Sequence, residues 1–533
     1  MWWHRLRWSW YIAAAPATDL CSSGERAAGA HPAAPTTSHR RPLHPSSRVF
    51  GNLSAPYSLG SAYHLSFLAP TALSLVHLLL ALSVTVHVLL YKRETNTSAA
   101  WIGLAWLAPI LGSVLYLLLG INRVRRRAMS LRGRRSTDLP ERSESHPGRD
   151  DHLQHLERAG HRITNRPAER GNTATILRSG DEAYPVMLAA IEAARHSIVL
   201  SSYIFRADAA GNQFIDALIT ATRRGVEARV LIDGVGGGYF VCRAYEKLRH
   251  ARVPVARFMH SSLPWRMPFL NLRSHKKILA IDGRIAFAGG LNIGAENLTR
   301  AHPAHPVIDT HFRFEGPAVA QLMDVFADDW SFTTGEQLAG EHWFPQLSPI
   351  NGGECIARVV TSGPDQDLEK IEFMILEAIA CARSSVRIMT PYFLPDERIM
   401  TGLALAAFRG VTVDIVLPEH SNHPTLDWAA RAQMGPLLSA GCRVWTHPAP
   451  FDHSKLMTVD DTWCLVGSSN WDVRSFRLNF ELDLEIYDTT LAARINKLIT
   501  TQQHQRIQSE QLRHRSLPAR LRDGAARLML PYL

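Results

Sequence analysis

The sequence predicts an α/β protein of two duplicated halves packed as a pseudo-dimer, preceded by an N-terminal transmembrane helical hairpin. Three observations predict it. One chemical phrase, H-x-K-x-x-x-x-D, occurs as His275, Lys277 and Asp282 and recurs 178 residues later as His453, Lys455 and Asp460. Helical periodicities alternate with short apolar runs around each copy. Upstream, residues 72–90 and 99–120 are two long stretches without a formal charge.

Residues 1–64 are rich in Ala, Pro, Ser, His and Arg without periodicity, which predicts a disordered extension. Residues 65–121 read as the hairpin, since each apolar stretch spans a hydrocarbon core about 30 Å thick at about 1.5 Å per residue. The short link between the stretches leaves both outer ends on one side. Seven arginines, from Arg123 to Arg135, follow the second stretch. By the positive-inside tendency they place that end, and the catalytic domain after it, in the cytoplasm as part of a multi-pass inner-membrane protein. They also suit anionic headgroups. Residues 122–170 read as a basic, polar linker, within which residues 136–168 are either linker or a loose helix.

The first half is expected over 171–345 and the second, with a C-terminal tail, over 346–533. Helices are predicted at 185–195 and 212–224 with strands at 198–205 and 228–233. The second half repeats the order, with helices at 368–383 and 396–409 and strands at 386–390 and 411–417. With 46% apolar and 20% charged residues the chain can bury a core, and its formal net charge of +10 favours an anionic partner, either an acidic lipid surface or nucleic acid. The six cysteines are scattered without a C-x-x-C pair, which predicts reduced, mostly buried thiols and no zinc site.

The chemistry lies in the repeated phrase. On a strand, His275 with Lys277, and His453 with Lys455, share a face. Asp282 and Asp460 are candidates for catalysis, but each also begins a turn dipeptide leading into a second strand. Gly289 and Asn292 follow the first histidine by 14 and 17 residues, and Gly467 and Asn470 follow the second at the same offsets. The two asparagines are candidate phosphate ligands. Asp309 and Glu481 occupy comparable places downstream and are expected to orient the histidines, crossing between halves. Two imidazoles and two ammonium groups without an acidic metal-binding cluster suit transfer at a phosphodiester, with one histidine attacking phosphorus and the other serving as acid and base. No metal and no cofactor is expected.

These residues resemble the phospholipase D superfamily, and from residue 75 onward the chain is similar to the bacterial cardiolipin synthases within it. The strings that carry the resemblance include HKKILAIDGRIAFAGGLNIG at 275–294, DTHFRFEGPAV at 309–319, TPYFLPDE at 390–397 and GSSNWDVRSFRLNFELDLEIYD at 467–488. The resemblance implies two phospholipase D-like α/β/α sandwich halves and metal-independent condensation of two phosphatidylglycerols into cardiolipin and glycerol. It further implies His275 as nucleophile, His453 as acid and base, and anionic phospholipids and the membrane as partners, without nucleic acid. Val307 and Ile308 depart from the family's pattern before DTH, as do residues 1–60. The alternatives are a hydrolase using the same site, a phosphatidylserine synthase-like transferase, a superfamily nuclease, and a non-catalytic membrane-anchored binding module.

Overall fold

The structure, a computed structural model, describes residues 60–91, 95–108, 110–120, 152–260 and 272–528. The expected disordered extension up to residue 59, the arginine cluster at 123–135 and the linker up to residue 151 lie outside the described residues. The chain divides into two compact units at Ser113 and Val114.

In the first unit, α1 (Gly60–Tyr91) contains Thr71–Tyr91, the one helix among the described residues long and apolar enough to cross a membrane. The second expected span is not a single helix. α2 (Thr95–Leu107) stops before Ala108, and the chain resumes as a short helix at Leu111–Leu115 and a π-helical turn at Tyr116–Gly120. Pro109 explains the break, because a proline has no N–H for the helical ladder and disfavours helix at the residue before it. Just beyond it, Ile110 adopts a φ of 61°. α2 packs on α1, with Ala81, Val88 and Ala105 buried and Trp106 Nε1 donating to Thr85 Oγ1 at 3.0 Å.

The second unit carries a 16-stranded sheet among the described residues. The first half contributes β1 (Glu169–Arg178), β2 (Ser197–Ser202), β3 (Glu227–Asp233), β4 (Val255–Phe258), β5 (Arg273–Ser274), β6 (Ile278–Ile281), β7 (Ile285–Gly289), β8 (Val307–Ile308) and β9 (Thr310–Glu315). The second contributes β10 (Cys355–Ser362), β11 (Ser385–Met389), β12 (Phe393–Leu394), β13 (Thr412–Pro418), β14 (Arg443–His447), β15 (Phe451–Asp452), β16 (Leu456–Val459), β17 (Trp463–Gly467), β18 (Trp471–Asp472), β19 (Asn479–Tyr487) and β20 (Gln505–Arg506). Across the sheet the order is β4-β3-β2-β6-β7-β9-β1 and then β10-β19-β17-β16-β11-β13-β14-β20. Read outward from the antiparallel contact of β1 with β10, the two halves repeat strand for strand until β20. The pseudo-dimer is therefore joined edge to edge.

The repetition extends to the helix ends. The helix Ala209–Arg223 starts at Asp208, whose carboxylate accepts the N–H groups of Ala210 and Gly211. The helix Glu397–Phe408 starts at Asp396, which accepts from Arg398 and Ile399. Both helices are followed by a left-handed glycine, Gly225 at φ 92° and Gly410 at φ 89°. The central core joins the halves, packing Phe312 and Phe314 with Val359, Leu484 and Ile486.

One expected linker segment is structured. Residues Gln154–Thr164 form a helix, with Leu153, Leu156, Gly160 and Thr164 buried at helical spacing, and it packs on the helix Lys370–Cys381 of the second half. Its polar residues, on the outward face, hide that stripe from a reading of average composition. Four of the described cysteines are free and buried, and Cys381 is free and half-buried.

Candidate active site

Each histidine of the repeated phrase is held by the opposite half. β5 pairs parallel with the start of β19, aligning Ser274 with Phe480, so the next residue, His275, meets Glu481. The His275 N–H donates to the Phe480 carbonyl at 2.9 Å and its Nδ1 lies 2.9 Å from Glu481 Oε2. The mirror arrangement uses β15, which pairs parallel with β8 and aligns Asp452 with Ile308. There the His453 N–H donates to the Ile308 carbonyl at 2.7 Å, and Nδ1 lies 2.8 Å from Asp309 Oδ2. Val307 and Ile308, the departure noted in the sequence, thus form the strand that seats His453. The segments 275–277 and 453–455 precede β6 and β16 rather than belonging to them. The histidines and lysines are placed by these short crossed pairings, not by a ladder under the phrase.

The site is dry. Glu481 is 0% exposed, Asp309 1%, Lys277 3%, Lys455 4% and His275 6%. Burial, with Lys277 and Lys455 nearby, holds His275 well below the ordinary imidazole range. His453 is pushed down to about 4 by burial and by Lys455, against the pull of Asp309. These shifts favour the neutral imidazoles, and a carboxylate at Nδ1 favours the proton on that nitrogen, which leaves the Nε2 lone pair free. Lys455 Nζ lies 2.7 Å from His453 Nδ1. Because Nδ1 carries the proton directed at Asp309, the lysine acts there as a neighbouring charge, and it donates to the His453 carbonyl. Lys277 Nζ donates to the His275 carbonyl at 2.6 Å. Burial lowers the pKa of both lysines.

The two orienting carboxyl groups differ. Asp309 is held below its ordinary range by Lys455, His453 and the Thr310 N–H, which outweigh its burial. Burial raises Glu481 against the opposing pull of Lys277, Ser468 and Asn479. Ser468 Oγ donates to Glu481 Oε2 at 2.6 Å and Asn479 Nδ2 to Oε1 at 3.0 Å. Glycine is required where the strands that carry the orienting carboxylates pass the hairpins. A Cβ on Gly290 would collide with Asp309 Oδ1, and one on Gly467 with Asp483 Oδ1 and the Leu482 carbonyl.

Asp282 and Asp460, candidates for catalysis in the sequence, are placed at the far ends of β6 and β16. Asp282 takes φ 54°, and its carboxylate accepts the N–H groups of Arg195 at 3.0 Å, His196 at 2.7 Å and Ser197 at 2.9 Å. Asp460 takes φ 52° and accepts from Arg383, Ser384 and Ser385 at 2.8, 2.7 and 2.9 Å, and its Oδ2 lies 2.6 Å from His152 Nε2. Their oxygens buckle the turn onto the neighbouring strand, a structural use that the turn dipeptides of the sequence already allowed. Asn292 Oδ1 accepts the Ile204 N–H at 3.2 Å, while Asn470 is buried with its Oδ1 lacking a hydrogen-bond partner among the described residues.

Sequence reasoning missed the aromatic walls and a brace between the halves. Tyr203 packs edge-on against His275 at 4.9 Å, and Tyr392 against His453 at 6.1 Å. Each follows a strand that flanks the phrase, β2 or β11, so aligning SSYI with TPYF across the repeat would have exposed them. Under His453, Arg178 pairs with Asp452 and donates to Ser454 Oγ at 2.7 Å and Thr310 Oγ1 at 2.6 Å.

A duplicated sheet with a histidine and a lysine at each inner end is the mark of a phospholipase D-like protein. Residues 187–330 and 375–502 match the family described as cardiolipin synthase, PLD-like domain, and residues 79–120 match the one described as phospholipase D-nuclease N-terminal. The major cardiolipin synthase of Bacillus subtilis is 32% identical over 486 residues, covering 86% of this chain and 98% of that protein. Cardiolipin synthase 1 of Bacillus cereus is 30% identical over 477 residues, covering 84% and 92%. The chain belongs to the cardiolipin synthase family, whose members are phosphatidyltransferases. Among solved structures, phosphatidylserine synthase of Haemophilus influenzae shares the fold, with a TM-score of 0.55 at 15% identity over 71% of this chain and 100% of that one.

Proposed function

We propose that this protein makes cardiolipin by moving a phosphatidyl group from one phosphatidylglycerol to another, releasing glycerol through a phosphohistidine on His275. The observation that carries the reading is the crossed pair of contacts, His275 with Glu481 and His453 with Asp309, at 2.9 and 2.8 Å.

The donor phosphodiester binds between Lys277 and Lys455, where its charge offsets the two ammonium groups. The Nε2 lone pair of His275 attacks phosphorus, and the P–O bond to the departing glycerol breaks. His453 supplies that oxygen with a proton and is left neutral. The hydroxyl of the second phosphatidylglycerol then gives its proton to His453 and attacks the phosphohistidine, which frees His275 and restores protonated His453. Two displacements retain configuration at phosphorus. Burial and Lys455 lower the proton affinity of His453, and the arriving anionic phosphodiester raises it again. The carboxylates divide these duties: Asp309, whose charge is firmly held, supports a histidine that cycles through its cation, while Glu481, raised by burial, suits one that begins neutral.

The acceptor chemistry requires a dry pocket, since water at the phosphohistidine would give phosphatidic acid instead. The protein acts at a membrane, anchored through α1, with its catalytic unit in the cytoplasm. The test is purified full-length protein given phosphatidylglycerol in detergent micelles without divalent metal, followed by lipid separation. Cardiolipin with an equal amount of free glycerol is the expected product. Phosphatidic acid alone would make the protein a hydrolase, and cardiolipin formed only on adding metal would refute the two-histidine mechanism.

A further inference from the structure

We propose that the loop at 234–241 is an interfacial lip that dips into an anionic bilayer beside the active site. The proposal rests on the lipid reading above. The loop leaves β3 at Asp233, whose Oδ1 accepts the N–H groups of Val235 and Gly236 at 2.9 and 2.7 Å. The other oxygen of Asp233 accepts the N–H of Ser274, the residue before His275, at 2.7 Å. The base of the loop is thus bolted to the segment that carries the nucleophile. Gly236 also packs so closely on Tyr203, the wall of His275, that a Cβ there would collide with the ring.

The rest of the loop is equally fixed. The Arg257 guanidinium donates to the carbonyls of Gly234 at 2.9 Å and Tyr239 at 3.0 Å and also to that of Gly238, while His260 Nε2 lies 3.0 Å from the Tyr239 carbonyl. On this tied-down frame Phe240 is 73% exposed and Val241 62% exposed. The helix that follows, Arg243–His250, turns Arg243, Lys247 and Arg249 to solvent, and Arg252 is exposed just beyond it, against one exposed acid, Glu246. An apolar tip with a cationic flank suits the headgroup boundary of an anionic membrane, where basic side chains meet phosphate and aromatics enter the acyl edge.

The fold does not demand this tip. At the corresponding place in the second half, the chain leaving β13 reads Glu419-His420-Ser421-Asn422-His423, and Glu419 and His420 are exposed. The apolar lip belongs to the half that carries His275.

The test places a bimane label on full-length Phe240→Cys in lipid nanodiscs containing phosphatidylglycerol with brominated acyl chains, with His420→Cys as control. Quenching at position 240 and not at 420 is expected. No quenching at 240, or equal quenching at both positions, overturns the lip. In a second measurement, Phe240→Ser/Val241→Ser raises the apparent KM for phosphatidylglycerol in vesicles about tenfold, the scale of one lost interfacial aromatic. Turnover of monomeric short-chain phosphatidylglycerol stays unchanged. Equal effects on both substrates, or none, would overturn the proposal. Quenching needs no turnover, so a protein that fails to make cardiolipin yet shows the label in lipid would sink the enzyme reading and leave the lip standing.

Discussion

The two histidines occupy the same place in the two halves and live in different surroundings. His275 faces a glutamate that Ser468 and Asn479 also bond, and the nearby Lys277 ammonium is turned to the His275 carbonyl. His453 faces an aspartate bonded by the Thr310 N–H, with the Lys455 ammonium against the ring itself. Two residues beyond each carboxylate the halves differ again. His311 is held down to about 4 by burial, whereas Asp483 is pushed up to about 7 by burial and the Glu481 charge. Pseudo-symmetry builds the pair, and the departures from it give two chemically identical side chains unlike electrostatic surroundings, as the proposed division of duties requires.

The sharpest way to break that comparison is to remove each histidine. His275→Ala and His453→Ala should each lower cardiolipin formation by on the order of 10⁴-fold or more, and the double variant should be little worse than either, as expected of groups acting as a unit. With a p-nitrophenyl phosphodiester, whose leaving group needs no acid, the His453 variant should still give a burst of nitrophenol and a labelled enzyme, and the His275 variant should not. A burst from the His275 variant alone would reverse the roles.

Next in size, Glu481→Gln and Asp309→Asn should each cost about 10²- to 10⁴-fold in kcat, because an amide can stabilise the wrong imidazole tautomer. Solvent-exchange or NMR measurement of the histidine tautomers would show whether each loss follows the ring across the half boundary.

A smaller effect reads the lysines through pH. Lys277 binds an anion only when protonated, and burial lowers its pKa. The charge is present below that pKa and lost above it, so the alkaline fall of kcat/KM should lie below the ordinary lysine value of about 10.4. Lys277→Arg, if it still turns over, should move that fall upward.

The smallest catalytic effect belongs to the turn aspartates. Asp282→Asn and Asp460→Asn should leave kcat of the folded enzyme nearly intact while lowering stability by about 1–3 kcal/mol through weakened backbone acceptors. Asp460→Asn should be the worse of the two in thermal melts, since it also loosens the contact with His152.

What the sequence made legible followed from repetition. Equal offsets after His275 and His453 mark the duplication, and the downstream carboxylates stand out because they fall at similar distances in both copies. Spacing could not say which way a carboxylate points, so Asp282 and Asp460 carried two readings until their φ angles and backbone donors were seen. Pro109 was in plain view, yet an uncharged run of 22 residues outweighs a single proline when only length and polarity are counted. The helix at Gln154–Thr164 stood open between a linker and a loose helix, because its buried stripe is diluted by charged neighbours. Tyr203 and Tyr392 escaped because each lies more than sixty residues before the histidine it walls.

The crossed strand pairings also bear on ancestry. Since each half seats and orients the other's imidazole, a single copy folded by itself would hold neither ring in place. A single-copy forebear could have been active only as a homodimer, and joining two genes would have turned that association into a covalent one. Within one chain each copy is free to vary on its own, so an aspartate stands in one half where a glutamate stands in the other, and one rim is greasy while its twin is polar.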